Sequence, residues 1–173
     1  LVNVRNPAID EKRYMEVIYA KTAKLFEVSA VLGALIANAS KKEIEAAAAY
    51  GRSLGIAFQL VDDLLDYAGE TNVLGKTVGN DLREGKMTLP LIFLMSHCEE
   101  SIRKTIRECI ENHDEASLPF ILEAVKASDA LDYTARKAQD AANDAAQALS
   151  CLRDSQYKET LIKLSTFSAE RNY

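Results

Sequence analysis

Cysteine is scarce: three in 173 residues, Cys98, Cys109 and Cys151, with no CxxC spacing. An odd, scattered set offers neither a disulfide framework nor a zinc cluster and points to a reducing compartment. Cationic runs are missing too. With a formal net charge of −5, the chain lacks the basic footprint that grips nucleic acid, which excludes that class of partner. The longest purely apolar run, around Leu89–Met95, falls far short of the ~20 residues a helix needs to cross a bilayer. No signal peptide stands at the front. The expectation is a soluble, cytoplasmic protein. An initiator methionine is also lacking, and "LVNVRNPAID" begins in mid-phrase. We therefore expect a piece of a longer chain.

No alternating β-branched run, internal repeat or linker is visible, so nearly everything reads as helix. With 48% hydrophobic residues, one well-packed all-α domain is the default. Asp10 is a candidate N-cap, with Ile9 and Tyr14 at hydrophobic-staple spacing. Tyr14, Ile18, Lys21, Leu25, Val28, Leu32 and Leu35 then recur in steps of four and three, a helix seam with a lysine in it. The next helix opens on a capping box, Ser40 to Glu43. Its seam runs Ile44, Ala48, Gly51, Gly55, Phe58, Asp62, Leu65, with glycines that let another helix come close. Four of the seven glycines lie between residues 69 and 85, in an irregular stretch carrying Lys76 and Lys86. A loop that long in a helical domain is usually functional. Pro90, one residue into the helix that Thr88 caps, begins a buried segment. Further helices are expected at about 99–112, 117–127 and 156–169, with a seam from Leu131 to Leu152 between the last two.

Both seams fail with a charge, and with opposite signs. Asp62 and Asp66 are four apart and share a helix face, Asp63 flanks them, and Gln59 sits one turn before Asp62. Carboxylates so close repel one another unless a cation bridges them. Hard oxygen donors with few other protein ligands suit Mg²⁺, which keeps several waters and completes its shell with substrate phosphate. Lys21, with Thr22 beside it, and the loop lysines Lys76 and Lys86 could serve as phosphate donors. Apolar helix walls around such a cluster would hold a greasy tail, and an anionic head with an apolar tail describes a prenyl diphosphate. The bland readings are a solvated acidic face and a snorkelling lysine. His97 and His113 have no partner at ligand spacing and read as structural or surface residues, and the cysteines as small core residues.

"GIAFQLVDDLLDY", "LGKTVGNDLREGKMTLPL" and the upstream "YMEVIYAKTAKLF" together resemble the trans-type polyprenyl diphosphate synthases, most of all the long-chain octaprenyl type that makes quinone side chains. The resemblance runs along essentially all of residues 1–173. It implies the all-α isoprenoid synthase fold, helices around a central cavity, and a homodimer. It also implies elongation of an allylic diphosphate, such as farnesyl diphosphate, by repeated head-to-tail condensation with isopentenyl diphosphate. By motif, Asp62, Asp63 and Asp66 match the second aspartate-rich motif, which holds Mg²⁺ against the allylic diphosphate. Lys21 and Thr22 match the pair that contacts the diphosphate and faces the carbocation. Gln59 matches the glutamine lining that site, and Lys76 and Lys86 match the lysines that clamp the diphosphate, with Asp81 near them. Lys21, Thr22 and Asp62 are thus the catalytic candidates. The family's first aspartate-rich motif and its isopentenyl diphosphate site are absent. The chain is expected to be the C-terminal portion of a single synthase domain, inactive alone. A product so apolar leaves room for loose membrane association on release.

Three rivals stand beside that reading. A non-catalytic subunit of a heteromeric synthase would tend to lose the aspartates that this chain keeps. A terpene cyclase would carry a second metal motif rich in Asn, Ser or Thr and Glu. A helical carrier of prenyl diphosphates is separated from an enzyme by turnover.

Overall fold

A computed structural model of the chain describes residues 5–68, 78–112 and 114–170. No strand occurs among them. Helix α1 (Glu11–Ile18) passes through a π-helical turn (Tyr19–Ala23) into α2 (Lys24–Ile36). Next come the long α3 (Lys41–Ala68), the single turn α4 (Asn80–Arg83), α5 (Leu89–His97), α6 (Glu100–Asn112), α7 (Leu118–Lys126), α8 (Ala130–Ala148) and α9 (Gln156–Glu170). Two compact units result, one from residues up to Met15 with Asp62–Thr134, the other from Glu16–Val61 with the residues after Thr134.

Helix starts follow local chemistry. The Arg13 amide donates to Asp10 Oδ1 at 2.8 Å, satisfying one of the orphan donors at the start of α1. Ile9 and Tyr14 are both buried beside that cap. At α3 the Ser40 amide donates to Glu43 Oε2 (2.8 Å) while the Glu43 amide reaches Ser40 Oγ (3.4 Å). This is the reciprocal capping box expected. Helix α5 does start with proline in its first turn, but Thr88 makes no side-chain cap. Its hydroxyl instead pairs with the fully buried Tyr67 hydroxyl at 3.0 Å, which gives each of two buried hydroxyls a partner.

In the first unit α5, α6 and α7 pack on one another around Leu89, Leu91, Ile106, Ile110, Ile121 and Val125, all sealed from solvent. In the second, Tyr50 and Leu54 of α3 pack with Ala145 of α8 and the following Leu149, flanked by Phe26, Leu161 and Ile162. The Tyr50 hydroxyl donates to the Leu161 carbonyl at 3.0 Å. The seam of α8 is buried from Ala138 through Leu149, although Ala135 is exposed and Thr134 takes the inward place before it.

The seam drawn through α1 and α2 does not stay buried. Tyr14 and Ile18 are inside, but Lys21, Leu25, Val28, Leu32 and Leu35 are exposed, Leu25 at 71%. The inward line is Tyr14, Ile18, Ala23 and Glu27. One step in it is five residues rather than four. The π turn supplies the extra residue, which rotates every later side chain relative to a continuous α-helix. In α3 the shift is smaller: Tyr50, Leu54, Ala57 and Val61 form a buried line one residue out of step with the expected seam, and Asp62 of that seam is exposed.

The glycines of that seam do admit a neighbour. A Cβ on Gly55 would lie 2.5 Å from Ala23 Cα, and one on Gly51 would lie 2.5 Å from the Phe26 carbonyl oxygen. Both obstacles are backbone, so no side chain can swing aside. Gly55→Ala should therefore lower stability by about 1–3 kcal/mol through overpacking, although alanine is the better helix former by about 1 kcal/mol. Urea unfolding checks this, and a midpoint equal to or above that of the unaltered chain would contradict it.

Candidate functional site

The expected site residues fall in both units, and each group is described by itself. In the first unit the last turns of α3 carry the three aspartates in three different settings. Asp62 is exposed, Asp66 is half-buried, and Asp63 is 4% exposed. Such a spread follows from the helix, where neighbours are ~100° apart and only residues 62 and 66 share a face.

Asp63 is turned to the interior, where the buried Tyr14 hydroxyl donates to its Oδ2 at 2.6 Å. Burial first, and then the Asp63 charge, pushes the Tyr14 phenol well above its usual range, so it remains a donor. Asp66 ties α3 to the residues that begin at Gly79. Its Oδ1 accepts the Asn80 amide (3.1 Å), its Oδ2 the Asp81 amide (2.9 Å), and its carbonyl the Gly79 amide (2.7 Å). Gly79 makes this possible with a left-handed φ of 77°, which costs glycine nothing. Burial raises the Asp66 carboxyl above the ordinary value, with the nearby Asp81 charge adding to the rise and the two amides opposing it.

Lys86 lies beside these acids. Its Nζ donates to Asp81 Oδ1 (2.8 Å) and pairs with Glu84 Oε2 (2.7 Å). Partial burial works against its charge, yet those two bonds more than offset it and hold the ammonium firmly protonated. The backbone bond from the Lys86 amide to the Asp81 carbonyl (2.9 Å) closes the same turn, with Gly85 at a φ of 75°. Lys76 lies outside the described residues, as does His113.

In the second unit Lys21 and Thr22 occupy the π turn. The Thr22 hydroxyl donates to Gln59 Oε1 at 2.7 Å, which leaves the hydroxyl's lone pairs directed elsewhere and orients the Gln59 amide. Lys21 is exposed. A π turn widens the helix locally and recurs at functional positions. Five residues after Thr22, Glu27 is the centre of a network that sequence reading missed. The buried Glu27 accepts from Lys24 Nζ (2.6 Å), Arg52 Nε (2.9 Å) and the Tyr19 hydroxyl (3.1 Å). Lys24 and Arg52 also lie 5.6 and 5.5 Å from the centre of the Tyr19 ring. The hydrogen bonds from Lys24 and then Arg52 hold the Glu27 carboxyl at about 2. Nothing in the sequence period marked Glu27, because position 27 becomes inward-facing only through the π turn.

His97 fits its structural reading. It is exposed, with Nδ1 2.9 Å from the Phe93 carbonyl and its ring stacked on Phe93. Of the cysteines only Cys109 is buried, while Cys98 and Cys151 are intermediate.

Residues 1–127 match the family described as Polyprenyl synthetase. The chain belongs to that family. It is 44% identical to octaprenyl diphosphate synthase of Haemophilus influenzae over all of this chain and 53% of that one. Identity to all-trans-nonaprenyl-diphosphate synthase (geranyl-diphosphate specific) of Rhodobacter capsulatus is 36%, over 95% of this chain and 50% of that one. Among solved structures, polyprenyl synthase from Caulobacter crescentus CB15, complexed with calcium and isoprenyl diphosphate, superposes with a TM-score of 0.91 at 36% identity. The match covers 98% of this chain and 52% of that one. The chain thus spans about half the length of the curated relatives it matches, and it has the family's all-α isoprenoid synthase fold. No described helix is long and apolar enough to cross a membrane.

A divalent cation suits the acids of the polyprenyl synthetase motif. Among the described residues no three His, Cys, Asp or Glu side chains converge on one point, so any cation would draw part of its shell from elsewhere, as magnesium usually does. The donors are hard oxygens. Each Asp66 oxygen accepts one amide and keeps a second lone pair. The raised Asp66 carboxyl beside Asp81 is negative charge that a cation would relieve.

Proposed function

We propose that this chain is the C-terminal portion of a single synthase domain whose protein elongates an allylic diphosphate with isopentenyl diphosphate. The product is a long-chain polyprenyl diphosphate, read as octaprenyl for quinone side chains from overall similarity. The observation that carries this reading is the crowding of Asp66, Asp81 and Lys86 around the turn after α3, next to an exposed Asp62. That is a place where a carboxylate, a cation and a phosphate can exchange partners.

The roles follow from the chemistry of each group. Asp62 and Asp66 hold Mg²⁺, with Asp63 as the third carboxylate of the motif. Magnesium bound there would neutralise the charge that develops on the diphosphate as it leaves the allylic carbon. Lys86, with three donors and two of them engaged, turns the remaining one to a phosphate oxygen. Lys76 and Lys21 are read, by motif, as further point charges for a diphosphate. Thr22, its proton committed to Gln59, presents oxygen lone pairs to the allylic cation and so favours charge at that carbon. The alkene of isopentenyl diphosphate forms the new carbon–carbon bond there, and a proton is lost to the released diphosphate. The reading includes a homodimer and loose membrane association for product release.

The test uses the intact protein containing this chain, with labelled isopentenyl diphosphate and farnesyl diphosphate, with and without Mg²⁺, and products sized by reversed-phase chromatography. A Mg²⁺-dependent ladder ending at octaprenyl is the expected result, and another end point corrects only the length. No product from the folded protein would overturn the enzymatic reading in favour of a non-catalytic partner subunit.

A further inference from the structure

We propose that Tyr14 is a positioning residue for the aspartate motif, acting through its hydrogen bond to Asp63 on the orientation of Asp62 and Asp66. This rests on the metal-binding role given above to that motif. Tyr14 and Asp63 are both 4% exposed, and the 2.6 Å bond joins α1 to the last turns of α3 across 49 residues of sequence. Phenylalanine would fill the same core space, so the hydroxyl is there for its bond. A buried carboxylate without donors is costly, and a bond to an ionised acceptor is among the stronger and more directional ones.

Asp63 sits between the other two aspartates on one rigid helix. The roll of α3 about its axis decides where Asp62 and Asp66 point, and Asp63 is the member of the motif that is gripped from inside. Asp66 is anchored separately, through the Asn80 and Asp81 amides. Asp62 is exposed on the same helix. Groups that orient a metal-binding carboxylate change metal affinity without touching the metal.

The experiment titrates Mn²⁺ into the intact protein containing this chain, with inorganic diphosphate present, and reads free Mn²⁺ by electron paramagnetic resonance. The unaltered protein, Tyr14→Phe, Asp63→Asn and the double variant are compared, each with a urea unfolding curve. Tyr14→Phe is expected to weaken Mn²⁺ binding roughly tenfold, and the same change made in Asp63→Asn, whose neutral amide oxygen accepts only a weaker bond, is expected to cost clearly less. Unchanged affinity in folded Tyr14→Phe, with only its unfolding midpoint lowered, would show a purely structural bond and overturn the proposal. So would an equal loss in the Asp63→Asn background, since Tyr14 would then act by another route. Should Tyr14→Phe not fold, Tyr14→Phe/Asp63→Leu replaces both polar partners by apolar ones, a change that folds more readily. Affinity equal to that of the unaltered protein in this variant would also overturn the proposal. If the unaltered protein binds no Mn²⁺ with diphosphate, the metal reading itself fails and this inference with it.

Discussion

Replacing Asp62 by alanine is expected to slow prenyl transfer by the intact protein ~10²–10³-fold at saturating Mg²⁺, about 3–4 kcal/mol of barrier, the usual size of one lost electrostatic contact at a developing charge. Asp62 is exposed and lies mid-helix, so the fold should not notice the change. Helix content and unfolding midpoint should match those of the unaltered protein, which separates lost chemistry from lost structure. Asp62 is also the aspartate of the motif that faces outward, whereas Asp63 is turned to Tyr14 and Asp66 is bound to two amides. Initial rates with farnesyl and isopentenyl diphosphate check the prediction. An unchanged rate at saturating Mg²⁺ would remove Asp62 from the metal site.

Glu27→Gln should lower stability at neutral pH. The native carboxyl sits at about 2, below the ~4.3 of an unfolded glutamate. A depressed native value contributes stability above the unfolded value and loses it as pH falls through the native one. The contribution is therefore complete at neutral pH and fades between about pH 4.5 and pH 2. Lys24 and Arg52 are half-exposed, so solvent screens the pair, and the contribution is about 1–2 kcal/mol rather than the full linkage value. At pH 7 the glutamine variant, which keeps the shape and one acceptor, should unfold at lower urea than the unaltered chain. At pH 2 the two midpoints should converge. A gap of the same size at both pH values would mean that the Glu27 charge contributes nothing.

What could be read from sequence was what depends on residues a few positions apart. Asp10 caps α1, and Ser40 and Glu43 box the start of α3, because each needs only its own turn. The close approach at Gly51 and Gly55 was legible for a similar reason: two missing side chains on one face have few other uses. The facing of α2 was not legible. Side-chain period assumes an unbroken α-helix, and nothing in "YAKTA" announces the extra residue of a π turn. From there the reading slipped: it placed Leu25 inside, whereas the fold exposes Leu25 and buries Glu27.

The candidate site divides along the same line. The residue types and their order were evident, and the aspartate spacing correctly separated Asp63 from the face shared by Asp62 and Asp66. The partners were not evident. Tyr14 finds Asp63, Thr22 finds Gln59 and Asp66 finds Asn80 and Asp81 only once distant segments meet, and a tyrosine on a seam looks like any other large apolar residue.

For the facing of α2, the π turn makes the length of the stretch from Tyr19 to Ala23 matter more than the identity of its residues. A substitution there alters one side chain. Losing one residue would turn everything from Lys24 to Ile36 through ~100°. Glu27 would swing off Arg52, and the Ala23 backbone that nests against Gly55 would give way to a different contact. Lys21 and Thr22 occupy the same five residues, so the packing of α2 and the placement of those two side chains share one insertion and cannot be changed independently by adding or removing residues.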